Sequence, residues 1–385
     1  MSAFTDLWSE IAPIGRAESG GYLRYALSEP ELTLRDWFRT QAARRDMLVT
    51  DDGNGNLFAW RGEPWTPGTV LTGSHFDSVP HGGGYDGPLG IVSAFLAADL
   101  VDPSRRNIAV AAFCEEEGGR FGVPCLGSRL LTGAIAPEKA AALQDRDGVS
   151  FGEALGRTPA GQDARVSGLK AFVELHIEQG RALETPVGVA SAIWPHGRWR
   201  MDFGGVADHA GTTRMTDRHD PMLTFAFTVL AANKEARLSG AHATVGRVQV
   251  EPNATNAIPS LVRGWLDARA ADTGTLDQLV ESLVKKVNER AGRDGTTLEV
   301  TPESVTAEVA FDEALAQRLS RVLGDAPILP TGAGHDAGVL SAHVPTAMLF
   351  VRNPTGVSHS PAEYASDEDC EAGISALAAI LGDLA

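Results

Sequence analysis

His75, Asp77 and Asp86 lie in one short stretch, TGSHFDSVPHGGGYDGPLG at 72–90, and offer an imidazole and two carboxylates. Those donors suit a divalent ion such as Zn, Mn, Co or Ni rather than a soft-metal site. The histidine and the aspartate two residues on fit an imidazole held in one tautomer by a nearby carboxylate. Asp86 follows a glycine-rich turn, and a carboxylate that bridged two ions would explain why a tight turn must present it. His176 in ELHIEQG and His359 in GVSHSPAE also follow strand-like segments among small or acidic residues. Glu115, Glu116 and Glu117 come directly after an apolar run and before glycines, a costly place to gather like charge unless a cation neutralises it. Two adjacent carboxylates can then divide the work. One binds metal, while the other takes a proton from water and returns it to a leaving nitrogen.

The same stretch has a rival reading, because Gly82, Gly84 and Gly87 spell G-x-G-x-x-G with Asp102 further on, the pattern of a dinucleotide site. Asp86 argues against it, since it would set a carboxylate inside the turn that must approach a pyrophosphate. His75, Asp77 and His81 would also have no role there.

The elements that must carry these residues read as parallel α/β units. A short β-prone segment at 69–71 leads into GSHFDS, and 89–101 is a strongly apolar helix. Strand-like 107–113 runs into the three glutamates and 169–175 into HIEQG, so polar residues collect at the carboxyl ends of strands, where open α/β sheets place their sites. Residues 30–46 have helical spacing, and DDGNGN at 51–56 reads as a tight turn between extended segments. After Pro186 the pattern becomes strand 199–205, helix 221–238, strands 243–250 and 261–270, helix 276–291 and strand 297–301. That is βαββαβ, the ferredoxin-like arrangement. Helix 311–323, strand 346–351 and helix 367–384 then complete the first sheet, so the small domain is inserted in the large one. The expected division is 1–189 with 303–385, and 190–302.

Two domains also agree with a length of 385 residues. With 43% hydrophobic and 22% charged residues the composition is that of a soluble globular protein. No apolar run approaches the roughly 18 residues of a membrane span, and the amino terminus lacks a signal-peptide layout, so a cytoplasmic location is the expectation. Lys and Arg number 33 against 50 Asp and Glu, a net charge of −17 that disfavours nucleic acid and anionic membranes. Cys114, Cys125 and Cys370 are odd in number and scattered, which fits neither a disulfide framework nor a thiolate zinc site.

GSHFDSVPHGGGYDGPLG, EEEGGRFG, ELHIEQG, DHAGTTRM, EPNATNAIP, LDARA, GAGHDA and GVSHSPAE, in this order over most of the chain, resemble the amidase, hydantoinase and carbamoylase branch of the M20 metallopeptidase superfamily. The resemblance implies a mixed-sheet metallohydrolase catalytic domain with an inserted ferredoxin-like lid and dimerisation domain. It implies two divalent ions, Zn or Mn with Co or Ni as alternatives, one held by His75, Asp86 and His176 and the other by Asp86, Glu117 and His359. Glu116 matches the general base and Asp77 the residue that orients the site. Glu115 matches no ligand position. His209, Asn256 and Arg269 match groups that bind the substrate carboxylate and the oxyanion, with His209 also catalytic, and Gln179 and His335 match groups lining the substrate cleft. A homodimer is implied as well. The implied activity is hydrolysis of a C–N bond in the ureido group of a small carboxylate, such as allantoate or an N-carbamoyl-L-amino acid, with a dipeptidase or N-acyl-amino-acid hydrolase as the alternative. AGTTRM at 210–215 departs from the branch's usual AGTTPM and places Arg214 near the substrate-facing loop.

Overall fold

The computed structural model describes residues 2–105 and 107–385. They form two compact units, one of residues up to Ala192 with Ala310–Ala385, the other Ile193–Val309.

The first unit is built on a mixed sheet. Its strands run in the order Leu48–Asp51, Leu57–Arg61, Ile108–Phe113, Val70–His75, Ala171–Ile177, Thr346–Val351 and Val187–Ile193. Val70–His75 pairs in parallel with both Ile108–Phe113 and Ala171–Ile177, and the latter pairs in parallel with Thr346–Val351. Towards the sides the pairing turns antiparallel. The parallel strands are buried along their whole length, which is why IAVAAF and TAMLFV read as unbroken apolar runs instead of alternating ones. Helix Pro88–Leu100 is buried from Pro88 to Ala98. It lies in a core with Phe38, Phe76, Leu175 and Leu377. The closing helix Asp367–Leu384 is capped by Ser366, and Asp367, Glu368 and Asp369 set negative charge against the positive end of its dipole.

The second unit has a separate sheet in the order Thr297–Thr306, His196–Gly204, Leu261–Arg269, His242–Glu251, antiparallel throughout. Along Leu261–Arg269 burial alternates, with Val262, Leu266 and Ala268 turned inward and Arg263, Trp265, Asp267 and Arg269 on the more open face. Helices Pro221–Ser239 and Thr273–Asp294 supply the other layer. Leu276, Leu279, Leu283, Val287 and Ala291 recur at helical spacing to form the buried stripe of the second.

The boundaries differ from those expected at 189/190 and 302/303. Val187–Ile193 pairs antiparallel with Thr346–Val351, so the first sheet keeps the chain to Ala192. At the other end Thr297–Thr306 runs past the expected end at 301, and the second unit extends to Val309. The sequence showed no motif before residue 70, yet helix Ala3–Ile11 joins the main core through Phe4 and Ile11. Among the described residues no helix is long and apolar enough to cross a membrane.

Candidate metal centre

The parallel strands deliver their polar residues to one edge. His75 is the last residue of its strand and stands beside Phe113 in the neighbouring one, which leads into Glu115–Glu117. His176 is paired with Phe350, whose strand leads through a loop to His359. Asp86 comes from the turn before Pro88. A virtual Cβ at Gly87 would lie 2.5 Å from the His75 ring, and Gly87 has φ 87°, so this position needs glycine twice over.

Two groups of ligand atoms result, His75 with Asp86 and His176, and Asp86 with Glu117 and His359, each lying within 4.8 Å of one another. Asp86 Oδ1 is 3.6 Å from His75 Nε2 and 3.1 Å from His176 Nε2, while Oδ2 is 3.3 Å from His359 Nε2. Glu117 Oε2 stands 3.4 Å from His359 Nε2. His75 Nδ1 donates to the Asp77 carbonyl oxygen at 3.0 Å and His176 Nδ1 to that of Ile177 at 2.8 Å. Those bonds fix a proton on each Nδ1 and turn each Nε2 towards the Asp86 carboxylate. Both Nε2 atoms are buried without a hydrogen-bond partner. Orphaned imidazole nitrogens facing a shared carboxylate fit a divalent ion with nitrogen and oxygen ligands.

The surrounding residues hold this arrangement. The Asp77 carboxylate is 3.6 Å from His75 Nδ1, and its closer bonds go elsewhere, from the backbone N–H groups of Glu116 and Glu117 at 3.1 Å each. Asp77 therefore touches the histidine through its carbonyl and the glutamates through its side chain. Glu115, at φ 55°, accepts from the N–H groups of Arg120 and Phe121, which pins the loop behind the other two glutamates. Glu363 accepts from the N–H groups of Tyr85 and Asp86. With those groups engaged and the His75 ring filling the space at Gly87, the turn does not offer the open N–H cradle of a dinucleotide site. Gln179 Nε2 donates to Asp86 Oδ2 at 2.8 Å and Ser358 Oγ at 3.1 Å. His335 packs on His176 with ring centroids 4.5 Å apart, and neither of its ring nitrogens has a hydrogen-bond partner.

Glu363 and Glu174 were missed by sequence reasoning. Glu174 accepts from Ser74 Oγ at 2.8 Å and Ala337 N–H at 3.0 Å, tying two ligand strands to the segment after His335. A glutamate inside the apolar run AFVELHI, two residues before His176, was the signal available.

The electrostatics of these carboxylates favour a cation among them. Burial pushes Glu116 well above the usual carboxylate value against the pull of His75, and burial with Asp86 nearby pushes Glu117 up to about 7. Burial likewise raises Asp336 to about 8, with Glu174 adding to it. Asp86 goes the other way, because the facing imidazoles of His176, His359 and His75 outweigh its burial. At an effective dielectric of about 20, two like charges ~4 Å apart cost about 4 kcal/mol, so several ionised carboxylates here require positive charge among them.

The remaining expected residues lie in the second unit. His209 pairs with Ala257 across a short two-stranded ladder, and the Ala210 N–H donates to the Asn256 carbonyl at 2.9 Å, so His209 and Asn256 are neighbours. Arg269 Nε donates to Asp267 Oδ1 at 3.0 Å. Arg214 is the exposed residue before a short turn of helix at Met215–Asp217.

Residues 71–383 match the model of peptidase family M20/M25/M40. The chain belongs to that family. It is 36% identical to the N-carbamoyl-L-amino acid amidohydrolase of Geobacillus stearothermophilus, with 96% of each chain covered. It is 31% identical to the allantoate amidohydrolase of Bacillus subtilis, covering 100% of this chain and 98% of that one. Among solved structures, an amidase of the hydantoinase/carbamoylase family from Burkholderia multivorans superposes with a TM-score of 0.85 at 31% identity, covering 99% of this chain and 97% of the other. The M20/M25/M40 match spans the residues of both ligand groups and all of the second unit.

Proposed function

We propose that this chain is a metal-dependent amidohydrolase that cleaves a non-peptide C–N bond in the ureido group of a small carboxylate. The observation that carries the reading is the pair of orphaned Nε2 atoms, on His75 and His176, aimed at Asp86. Its full-length similarity to an N-carbamoyl-L-amino acid amidohydrolase and an allantoate amidohydrolase supports the substrate class.

His75, Asp86 and His176 would hold one divalent ion and Asp86, Glu117 and His359 a second, with Asp86 shared. Zn and Mn suit these donors, as do Co and Ni. Bound there, such ions supply Lewis acidity, which polarises a carbonyl and makes water acidic near neutral pH. Glu116, buried and beside His75, takes the proton of the attacking water. As the water oxygen bonds to the carbamoyl carbon and the C–N bond breaks, Glu116 returns that proton to the departing nitrogen. Asp77 holds the glutamate backbone throughout. Gln179 and His335 line the cleft, where Gln179 also restrains Asp86.

The second unit, with its βαββαβ order, is the ferredoxin-like lid and dimerisation domain in this reading. Arg269 anchors the substrate carboxylate with its forked donors, and His209 and Asn256 donate to the developing oxyanion. The active form is a homodimer.

Ammonia release tests the function. Whichever C–N bond of a ureido group breaks first, the carbamate left behind loses carbon dioxide, and one ammonia is freed. A panel of allantoate, ureidoglycolate, N-carbamoyl-L-amino acids and dipeptides, with Mn or Zn supplied, is expected to give ammonia from at least one ureido compound. Free amino acids released from dipeptides, with no ammonia from any ureido compound, would replace this reading with a peptidase.

A further inference from the structure

Asp86 stands in a turn, and a turn alone does not hold a carboxylate where two ligand groups need it. The restraint comes from far along the chain. Glu363 Oε1 accepts the N–H of Tyr85 at 2.9 Å and that of Asp86 itself at 3.0 Å. The side chain is only 5% exposed. Gly83 makes room for it, because a Cβ there would stand 2.2 Å from Glu363 Oε1 and 2.3 Å from its Cδ. From the other side Trp8 stacks on Tyr85, with centroids 4.8 Å apart and planes at 18°, and Tyr364 meets Tyr85 edge-on at 6.3 Å. The Tyr85–Asp86 peptide is thus fixed by hydrogen bonds on its N–H groups and by rings on its side chain.

We propose that Glu363 is a positioning residue that sets metal affinity by clamping the Tyr85–Asp86 turn, so that Asp86 offers one oxygen to His75 and His176 and the other to His359. This rests on the reading of Asp86 as a shared metal ligand. Glu363 belongs to neither ligand group; its Oε1 acts through the backbone of a residue that belongs to both. Outer partners of metal ligands commonly change affinity by about 10- to 100-fold when removed. Because what Asp86 needs is an acceptor for two N–H groups, a glutamine whose amide oxygen takes the same place retains the clamp.

The test measures metal bound per chain at graded free Mn and Zn, using full-length protein, with thermal unfolding of the metal-free proteins alongside. Glu363→Ala is expected to weaken metal binding at least ~10-fold. Gly83→Ala should follow it by displacing the Glu363 side chain, while Glu363→Gln stays within about threefold of the unsubstituted chain, since one acceptor oxygen serves both donors. Equal affinity in Glu363→Ala and the unsubstituted chain overturns the clamp. So does a Glu363→Gln that loses as much as Glu363→Ala, which would make charge the cause. If Glu363→Ala fails to fold, Glu363→Gln and Gly83→Ala still decide, because the clamp requires them to differ. An unsubstituted chain that binds no divalent ion overturns the metal reading itself, which is a distinct outcome from unchanged affinity in the variants.

Discussion

The carboxylate of Asp77 accepts the backbone N–H of Glu116 at 3.1 Å, and its other oxygen accepts that of Glu117 at the same distance. The two glutamates given different tasks, proton transfer and metal binding, are therefore hung from one side chain. The same residue receives the His75 Nδ1–H on its carbonyl. A single buried aspartate thus joins a proposed ligand of one ion to a proposed ligand of the other and to Glu116, the proposed base.

Asp77→Asn separates these duties. An asparagine keeps one acceptor oxygen and turns an NH2 group towards the other backbone N–H, leaving that donor unsatisfied at a cost of about 1–3 kcal/mol. The backbone carbonyl that holds His75 is unaffected. Activity should fall about 10- to 100-fold. Kinetics at saturating metal, with metal content measured on the same samples, check this; unchanged kcat would mean the glutamate backbone needs no such support.

Glu116→Gln keeps size and packing, including the approach of Cys125 Sγ at 3.6 Å, but cannot take up a proton. It should retain metal and lose at least ~10² in kcat, about 2.7 kcal/mol of barrier. Near-normal turnover would assign the proton transfer to another group.

The candidate metal ligands were legible in the sequence because their residue types stand in unusual places. A histidine at a strand end, a carboxylate in a glycine turn and glutamates after an apolar strand each violate the ordinary pattern. The supports were less legible. Glu363 sits 277 positions from the Asp86 N–H it accepts, and nothing local at HSPAE announces that partner. Trp8 lies in a helix with no motif, yet it braces Tyr85. The left-handed backbone at Glu115 and His359, φ 55° and 56°, is likewise invisible in residues that do not favour it. Boundaries were misplaced for a related reason: Val187–Ile193 belongs to the first sheet through pairing with Thr346–Val351, a contact between distant segments.

Arg269→Ala tests the proposed substrate anchor. The arginine is already held by Asp267 at 3.0 Å, which orders its guanidinium before any ligand arrives. Its loss should mainly raise KM for carboxylate substrates with a smaller change in kcat, the signature of binding that is equal in ground and transition states. Steady-state kinetics on one carboxylate substrate and its amide decide the matter, since the amide should be nearly indifferent to the substitution. Equal effects on both would remove the carboxylate from the role.

Chelation should make stability depend on pH in a particular direction. In the metal-free chain burial raises Glu117 to about 7 and Glu115 to about 8, both above the ordinary value of 4.5. A folded state that holds protons more tightly than the unfolded chain is favoured when protons are plentiful. Its contribution is complete below the unfolded value and is lost as pH rises through about 7 and then about 8. The metal-free Tm should therefore fall between pH ~5 and ~9 by more than surface charges explain. Returning a divalent ion supplies the positive charge that the protons had provided, and ligand binding to the folded state alone adds about 2.7 kcal/mol at a concentration 100 times Kd. Thermal unfolding across that pH range, with and without Mn or Zn, should show the metal's stabilisation growing towards alkaline pH, before hydroxide competes. A metal increment that shrank steadily from pH ~5 upward would contradict the protonation states assigned to Glu115 and Glu117.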